Sequence, residues 1–205
     1  SRPFITITRQ AGFGAHRLAD RLIERLNHPP VDPPWRLYDR QIVETVATDH
    51  GLSAALIEVL PDRPHTLLED LAEGLRFDAS RPSDVFIYGK VIAAIRAIAA
   101  QGHAIIVGRG GVFCTQDMPD GVHLHLVASR ASRIRAMMEV RELTEADAER
   151  LIDQTDAQRQ AFLSRFWPNA VESPDRFAVV INTDQVALDQ QVDLVHALVK
   201  TRATA

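Results

Sequence analysis

Short apolar runs alternate with longer stretches of helical periodicity along most of this chain. Runs rich in β-branched residues that end at glycine, serine or asparagine turns predict strands. They cover residues 4–8, 35–38, 104–107, 122–127 and 177–181. Two of the runs, 104–107 and 177–181, are continuously apolar, which is typical of strands covered on both faces.

Apolar residues recur at helical spacing between these runs. Leu18, Leu22 and Leu26 form one such stripe after the first strand. Further helices are predicted from about residue 39, over 53–77 with two proline interruptions, and over about 80–100. The charged tract 129–167 is predicted to be helical with a break at 139–144. This alternation predicts an α/β fold in which helices cover both faces of a mainly parallel sheet.

Composition excludes several classes of protein. The chain has 205 residues, of which 46% are hydrophobic, and a net charge of −4, which suits one domain with its own core rather than a fibrous or disordered chain. Its single cysteine, Cys114, cannot form an internal disulfide, and neither a leader nor a membrane-spanning run is visible. We therefore expect a cytoplasmic protein with no membrane partner. Because a basic excess is missing, we also expect no nucleic-acid partner.

The turn after the first strand is the first candidate for chemistry. Its sequence over residues 9–17 is RQAGFGAHR, with Gly12 and Gly14 directly before a helix. Such a turn offers main-chain N–H groups and a positive helix end to a phosphate. Against the pattern G-x-x-x-x-G-K-[ST] only Gly14 fits, because Ala15 replaces the lysine and His16 the hydroxyl residue. Taken alone, two glycines here more often reflect chain geometry.

Further motifs follow this turn at spacings that extend over nearly the whole chain. In order they are Tyr38-Asp39, IIVGRGG at 105–111, Ser129 with Arg133, then Asp153, Asp156 and Arg159, and VINT at 180–183. With the glycine turn, this series resembles the cytidylate kinase-like family of P-loop proteins. The resemblance implies a three-layer P-loop NTPase fold in one domain of residues 1–205. It also implies an acceptor-binding helical insertion over about 40–83 and a lid over about 139–167.

The same resemblance implies ATP, Mg²⁺ and a small-molecule nucleotide acceptor. ATP phosphates would lie against the glycine turn, with Arg9 or Arg17 supplying the charge of the missing lysine. The residues expected to bind them are Arg9, Gly12, Phe13, Gly14, Ala15, His16 and Arg17. The acceptor would contact Gly108, Arg109 and Asp39, and Asp39 is also the candidate Mg²⁺ ligand. Asp39 as an ordinary helix N-cap is an equal alternative.

The resemblance further implies a catalytic group of three charged residues. Asp156 and Arg159 are three positions apart and so share one helical face, and Arg133 on the preceding helix could join them. Such a face could close over ATP and exclude water. The ordinary alternative is a salt-bridged face in contact with solvent.

Three positions depart from the family pattern. Ala15 replaces the lysine of the turn, Gly110 an aspartate after the third strand, and Ile152 the first arginine of the lid. Three hypotheses therefore stay open: a kinase for a CMP- or dCMP-like acceptor, a nucleotide-binding regulatory module without turnover, and a kinase for another small acceptor. The helix predicted near residues 83–100 offers a surface for a homodimer, or equally for core packing.

Overall fold

The computed structural model describes residues 2–12, 14–39, 84–108, 110–167 and 173–204, with the backbone alone for 84–88. The strands of this part are β1 (Phe4–Arg9), β2 (Arg36–Tyr38), β3 (Ala104–Val107), β4 (Gly121–Val127) and β5 (Val179–Asn182). Its α-helices are α1 (Ala15–Leu26), α2 (Asp84–Gln101), α3 (Gly111–Thr115), α4 (Arg130–Arg141), α5 (Glu145–Phe166) and α6 (Leu188–Thr204). A short 3₁₀ helix spans Pro174–Arg176.

The five strands form one parallel sheet in the order β2-β3-β1-β4-β5. Ile5 of the central strand β1 pairs with Ile105 of β3 on one side and with Val122 of β4 on the other. Parallel neighbours need crossover connections, and helices supply them. The carboxyl end of β1 therefore lies between strands reached by crossovers in opposite directions, which is where open α/β sheets bind ligands.

Helices cover both faces of this sheet. On one face, Leu22 of α1 and Val195 of α6 are buried in the same cluster as Ile7 of β1. On the other face, Ile95 of α2 is buried with Ile106 of β3. The three-layer α/β fold expected from the alternation of elements is thus confirmed.

The apolar side of α2 packs within the molecule. In the part of α2 from residue 89 onward, the cluster beside the sheet contains the buried side chains of Val91, Ala94, Ile95 and Ile98. Core packing is therefore the better of the two interpretations of this surface, and the described part of α2 gives no support to a homodimer. Neither α2 nor any other described helix is long and apolar enough to cross a membrane.

Most elements lie close to the residues expected from the sequence, but β5 does not behave as predicted. β3 covers the four predicted residues, and all four are buried. α4 and α5 are separated by residues 142–144, inside the predicted break. The prediction that β5 is covered on both faces is wrong: Val180 is 40% exposed and Asn182 is exposed. In the edge strand β5, Ile181 is buried in the cluster that includes α6, whereas the opposite face, which carries Val180, stays open. The helices predicted between residues 39 and 77 lie outside the described residues.

Candidate phosphate-binding site

The turn between β1 and α1 places two glycines at the start of a helix. Gly12 has a φ of 91°, a left-handed conformation that favours glycine. Gly14 is the N-cap of α1 and has no side chain with which to cap the first amides. The first turn of α1, which is fully described, holds no acidic residue that would offset the positive end of the helix dipole. These features suit the binding of an anion.

The other residues of the turn have different surroundings. Ala15, in the position of the lysine, is fully buried in the core, so only its main chain is available to a ligand. His16 and Arg17 are exposed at the surface of α1. Arg17 bends back towards Gly14, where a β-carbon would lie 3.2 Å from Arg17 Cδ. Phe13 lies outside the described residues.

Arg133, Asp156 and Arg159 meet against this turn. Arg133 Nη1 donates to Asp156 Oδ2 at 2.6 Å, and Arg159 Nη1 lies 3.7 Å from Asp156 Oδ1. Asp156 Oδ1 also accepts a hydrogen bond of 2.9 Å from the main-chain N–H of Ala11. Arg159 Nη1 donates to the main-chain oxygen of Arg9 at 3.1 Å. The three residues grouped on sequence grounds thus form one cluster that ties α4 and α5 to the glycine turn.

Apolar packing holds the two helices in the same place. Ala11 of the turn, Ile134 of α4, and Ala148 and Ile152 of α5 form a small buried cluster. Ile152 is fully buried in it. This packing explains why an isoleucine stands where the family pattern has an arginine, since a buried unpaired guanidinium here would be strongly unfavourable.

A cavity of about 320 Å³ opens at the carboxyl ends of β1 and β3. This volume lies at the lower end of the range usual for small-molecule sites, roughly 300–1,000 Å³. Arg9, Gly108 and Arg159 belong to its lining. The guanidinium of Arg9 lies directly beside Gly108, because a β-carbon at position 108 would stand 2.5 Å from Arg9 Nη1. Arg109 follows this lining residue and lies outside the described residues.

The part of α5 that closes this cavity was missed by the sequence analysis. Thr155, Gln158, Phe162 and Leu163 line it beside Arg159. Positions 155, 159 and 162 follow helical spacing and share one face of α5. The continuation of the stripe through residues 156 and 159 into the next turn is the sequence feature that could have identified them.

Asp39 follows β2 and lies near the start of α1. Its Oδ2 atom is 3.9 Å from Nε2 of His16. A single carboxylate close to a phosphate turn fits an Mg²⁺ ion that arrives with a nucleotide, because such ions use one or two carboxylates together with phosphate oxygens and water. Within the described ranges no group of three or more histidine, cysteine or acidic side chains could hold a metal by itself. Asp39 would therefore hold the ion only together with a bound nucleotide.

A parallel five-stranded sheet, a glycine turn after its central strand and arginines gathered beside that turn define an α/β protein with a candidate phosphate-binding turn. More specifically, this chain belongs to the cytidylate kinase-like family, which its sequence matches over residues 4–185. That family relates the chain to phosphoryl transfer in general. A search of curated proteins found no match.

Solved structures agree with the fold. An uncharacterized protein from Eubacterium ventriosum ATCC 27560 superposes with a TM-score of 0.74 at 19% identity, covering 98% of this chain and 99% of that one. Shikimate kinase from Bacteroides thetaiotaomicron gives a TM-score of 0.51 at 12% identity, with coverage of 98% and 99%. TT1252 from Thermus thermophilus gives 0.51 at 15% identity, with 98% of each chain covered. At these identities the similarity shows the fold alone.

Proposed function

We propose that this chain transfers the terminal phosphoryl group of ATP to a nucleoside monophosphate, with a CMP- or dCMP-like acceptor favoured. The observation that carries the proposal is the cavity at the ends of β1 and β3, whose lining includes Arg159 and Arg9, the residue from which the chain enters the glycine turn before α1. Phosphoryl transfer needs mainly positioning and stabilisation of negative charge, and main-chain amides with arginines provide both. An activity that consumes ATP fits a cytoplasmic location.

In this proposal, Arg9 supplies the positive charge that the turn lacks. Ala15 is buried and holds no charge, and Arg17 lies at the surface outside the cavity lining. The Arg9 guanidinium, in contrast, lies beside Gly108 within the lining. A guanidinium can bind two phosphate oxygens at once. Of the two arginines considered from the sequence, Arg9 is therefore the better placed.

The acceptor would bind on the side of β3. Gly108 and Gly110 both line the cavity, so Arg109 between them is our candidate for the acceptor phosphate. The region 40–83, which lies outside the described residues, is our candidate for recognition of the base and sugar. Asp39, which directly precedes this region, would hold Mg²⁺ together with the ATP phosphates. Bound Mg²⁺ would supply charge stabilisation at the transferred group.

We assign the lid role to residues 139–167, which include α5. Arg159 lines the cavity and is the candidate catalytic residue of this helix. Asp156 bonds to Arg133 and to the N–H of Ala11 in the turn, so in this proposal it acts on these donors and not on the substrate. Water exclusion by α5 would protect the transferred phosphoryl group from hydrolysis.

A second function is favoured by one specific observation. Ala15 stands where the family pattern has a lysine, and its side chain is enclosed in the core. The position therefore has no room for a long charged side chain. A nucleotide-binding module that regulates without turnover accounts for this loss directly. The kinase proposal requires that Arg9 compensates for it.

The deciding experiment measures ADP release from Mg·ATP with CMP, dCMP, UMP, AMP or GMP and without acceptor, while calorimetry follows ATP binding. Release that depends on CMP or dCMP is the expected result. The Arg109→Ala variant should then lose acceptor affinity while ATP binding stays within about twofold. Tight ATP binding with no release above the control would favour the regulatory module. Release with an acceptor outside this set, and with none in it, would favour a different small substrate.

A further inference from the structure

Asp156 makes the contacts that an oxygen of a bound phosphoryl group would make. Its Oδ1 accepts the N–H of Ala11 inside the glycine turn, and its Oδ2 accepts from Arg133. Arg159 lies 3.7 Å from the same carboxylate. A main-chain amide and two guanidinium groups are the usual donors to a phosphate oxygen. A carboxylate of the chain itself is thus bound by phosphate-type donors.

The cation that holds this carboxylate is itself deeply buried. The Arg133 side chain is 10% exposed, and its Nε atom is buried with no hydrogen-bond partner among the described residues. A buried donor without a partner costs free energy that a second acceptor would recover. Asp156 therefore satisfies Arg133 only in part, and an anion with three oxygens has more acceptors to offer.

A neighbouring ion pair on the same two helices shows that the contact of Asp156 with the glycine turn is not a general property of this helix face. Arg130 donates to both oxygens of Asp153, one turn before Asp156, and this pair is open to solvent. The neighbouring Arg130 guanidinium keeps the pKa of Asp153 below its ordinary value. Among the described residues, Asp153 accepts hydrogen bonds only from the Arg130 side chain, whereas Asp156 also accepts one from a main-chain N–H of the glycine turn.

We propose that Asp156 is an internal anion that occupies the phosphate site formed by Ala11 N–H, Arg133 and Arg159, and that a phosphoryl group of the ligand displaces it. This inference rests on the proposed function, because it assigns a competitor to the same phosphate site. Displacement releases α5 from the turn, so entry of the nucleotide and movement of the lid are one event. The carboxylate thereby keeps the buried Arg133 and the half-buried Arg159 paired when no nucleotide is bound.

The test compares Asp156→Asn with Asp153→Asn as its matched control. Asparagine keeps the size of the side chain and an acceptor for Ala11 but removes the competing charge. Inorganic pyrophosphate serves as the probe, measured by calorimetry at low ionic strength. We expect Asp156→Asn to bind pyrophosphate about tenfold tighter than the unmodified protein, since it no longer competes for charged donors. The Asp153→Asn variant should stay within about twofold.

The direction in which pyrophosphate affinity changes in Asp156→Asn shows whether the ligand displaces Asp156 or whether Asp156 supports ligand binding. If Asp156 instead held Arg133 ready for the ligand, Asp156→Asn would bind pyrophosphate more weakly. Weaker binding, equal binding, or binding undetectable in both proteins would overturn the proposal. Asp156→Ala provides a second variant, and it should also bind more tightly than the unmodified protein.

An NMR measurement tests the contact without any nucleotide. The amide resonance of Ala11 should shift on addition of pyrophosphate and in Asp156→Asn, and stay in place in Asp153→Asn. If the chemical shift of the Ala11 amide stays the same in Asp156→Asn, the hydrogen bond between Ala11 N–H and the Asp156 carboxylate is ruled out. Tighter pyrophosphate binding without acceptor-dependent ADP release would leave this inference standing and remove the kinase proposal. Acceptor-dependent ADP release together with weaker pyrophosphate binding in Asp156→Asn would support the kinase proposal and overturn this inference.

Discussion

Gly12 approaches Arg133 so closely that a β-carbon at position 12 would lie 2.8 Å from the main-chain oxygen of Arg133. The backbone of α4 therefore packs directly on the glycine turn. This contact, together with the φ of 91° at Gly12, gives the residue two independent reasons to be glycine. It also brings the guanidinium of Arg133 within reach of the turn.

Gly12→Ala should destabilise the fold and separate α4 from the turn. Steric overlap with a backbone atom and an unfavourable φ together predict a loss of about 1–3 kcal/mol in the free energy of unfolding. Urea denaturation measures this change. The matched control is Gly89→Ala in α2, where a β-carbon would meet no described atom within 4 Å. That variant should be neutral or stabilised, as expected of alanine inside a helix.

Gly108→Ala should displace the guanidinium of Arg9 rather than unfold the protein. The new methyl group would overlap the flexible end of Arg9, and the φ of 79° at Gly108 adds some strain. We expect ATP affinity to fall about tenfold, in line with the loss of a charge-assisted hydrogen bond. A double-mutant cycle with Arg9→Ala checks the cause. The two effects should be strongly non-additive, and full additivity would contradict the displacement of Arg9.

Arg159→Ala should lower kcat more than it weakens binding of either substrate. A cationic donor at the transferred group stabilises charge that develops in the transition state, so a loss of about 100-fold in kcat is expected. Steady-state kinetics with the acceptor that supports ADP release in the assay proposed above measure it. Arg150→Ala on the same helix is the control, because Arg150 is 72% exposed and pairs only locally with Asp147 among the described residues. Equal kcat values for both variants would rule out the catalytic role of Arg159.

Asp39→Asn should weaken the binding of metal in the presence of nucleotide. Loss of the only carboxylate proposed for this ion predicts roughly tenfold weaker Mn²⁺ binding to the ATP complex, measured by electron paramagnetic resonance. ATP binding without metal should be little changed. Asp20→Asn, an exposed change on α1, is the control. If metal binding is the same in both variants, Asp39 is not a ligand.

Acid should destabilise the protein through His123. Burial lowers the pKa of His123 to about 4 from 6.5, with a smaller contribution from the charge of Arg202. Its Nδ1 lies 2.8 Å from Thr6 Oγ1 within the sheet. Between pH 6.5 and 4 the unfolded chain binds a proton that the folded chain does not, so stability falls as the pH falls. The loss of stability amounts to at most roughly 3.4 kcal/mol, and it is complete only below pH 4.

Urea denaturation at pH 7 and pH 4.5 measures this dependence. His123→Gln, which keeps a neutral polar side chain, should reduce the difference between the two pH values. The exposed His28→Gln should leave the difference as it is. An unchanged difference in His123→Gln would assign the acid sensitivity to other groups, such as His125, whose pKa is also lowered by burial.

The local pattern of apolar, polar and turn residues was sufficient to predict the main elements of the fold. The boundaries of β3, the break at residues 142–144 and the glycine turn before α1 all follow from periodicity and from turn residues. These features depend on neighbours within a few positions, so the sequence displays them directly. The resemblance of the motif series then supplied the family, which the match over residues 4–185 confirms.

The tertiary structure determined how those elements pack on and contact one another. One face of the edge strand β5 is open because the packing of α6 covers only the side of Ile181, which depends on the strand order and the helix positions and not on the residues of β5 itself. Ile152 is buried because α5 packs on α4 and on the glycine turn. Asp156 reaches the amide of Ala11 across 145 positions of the chain. The sequence determined that a glycine turn and a charged helix exist, because both depend on near neighbours in the chain. Only the packing of the crossovers decided that the helix places its own carboxylate on that turn.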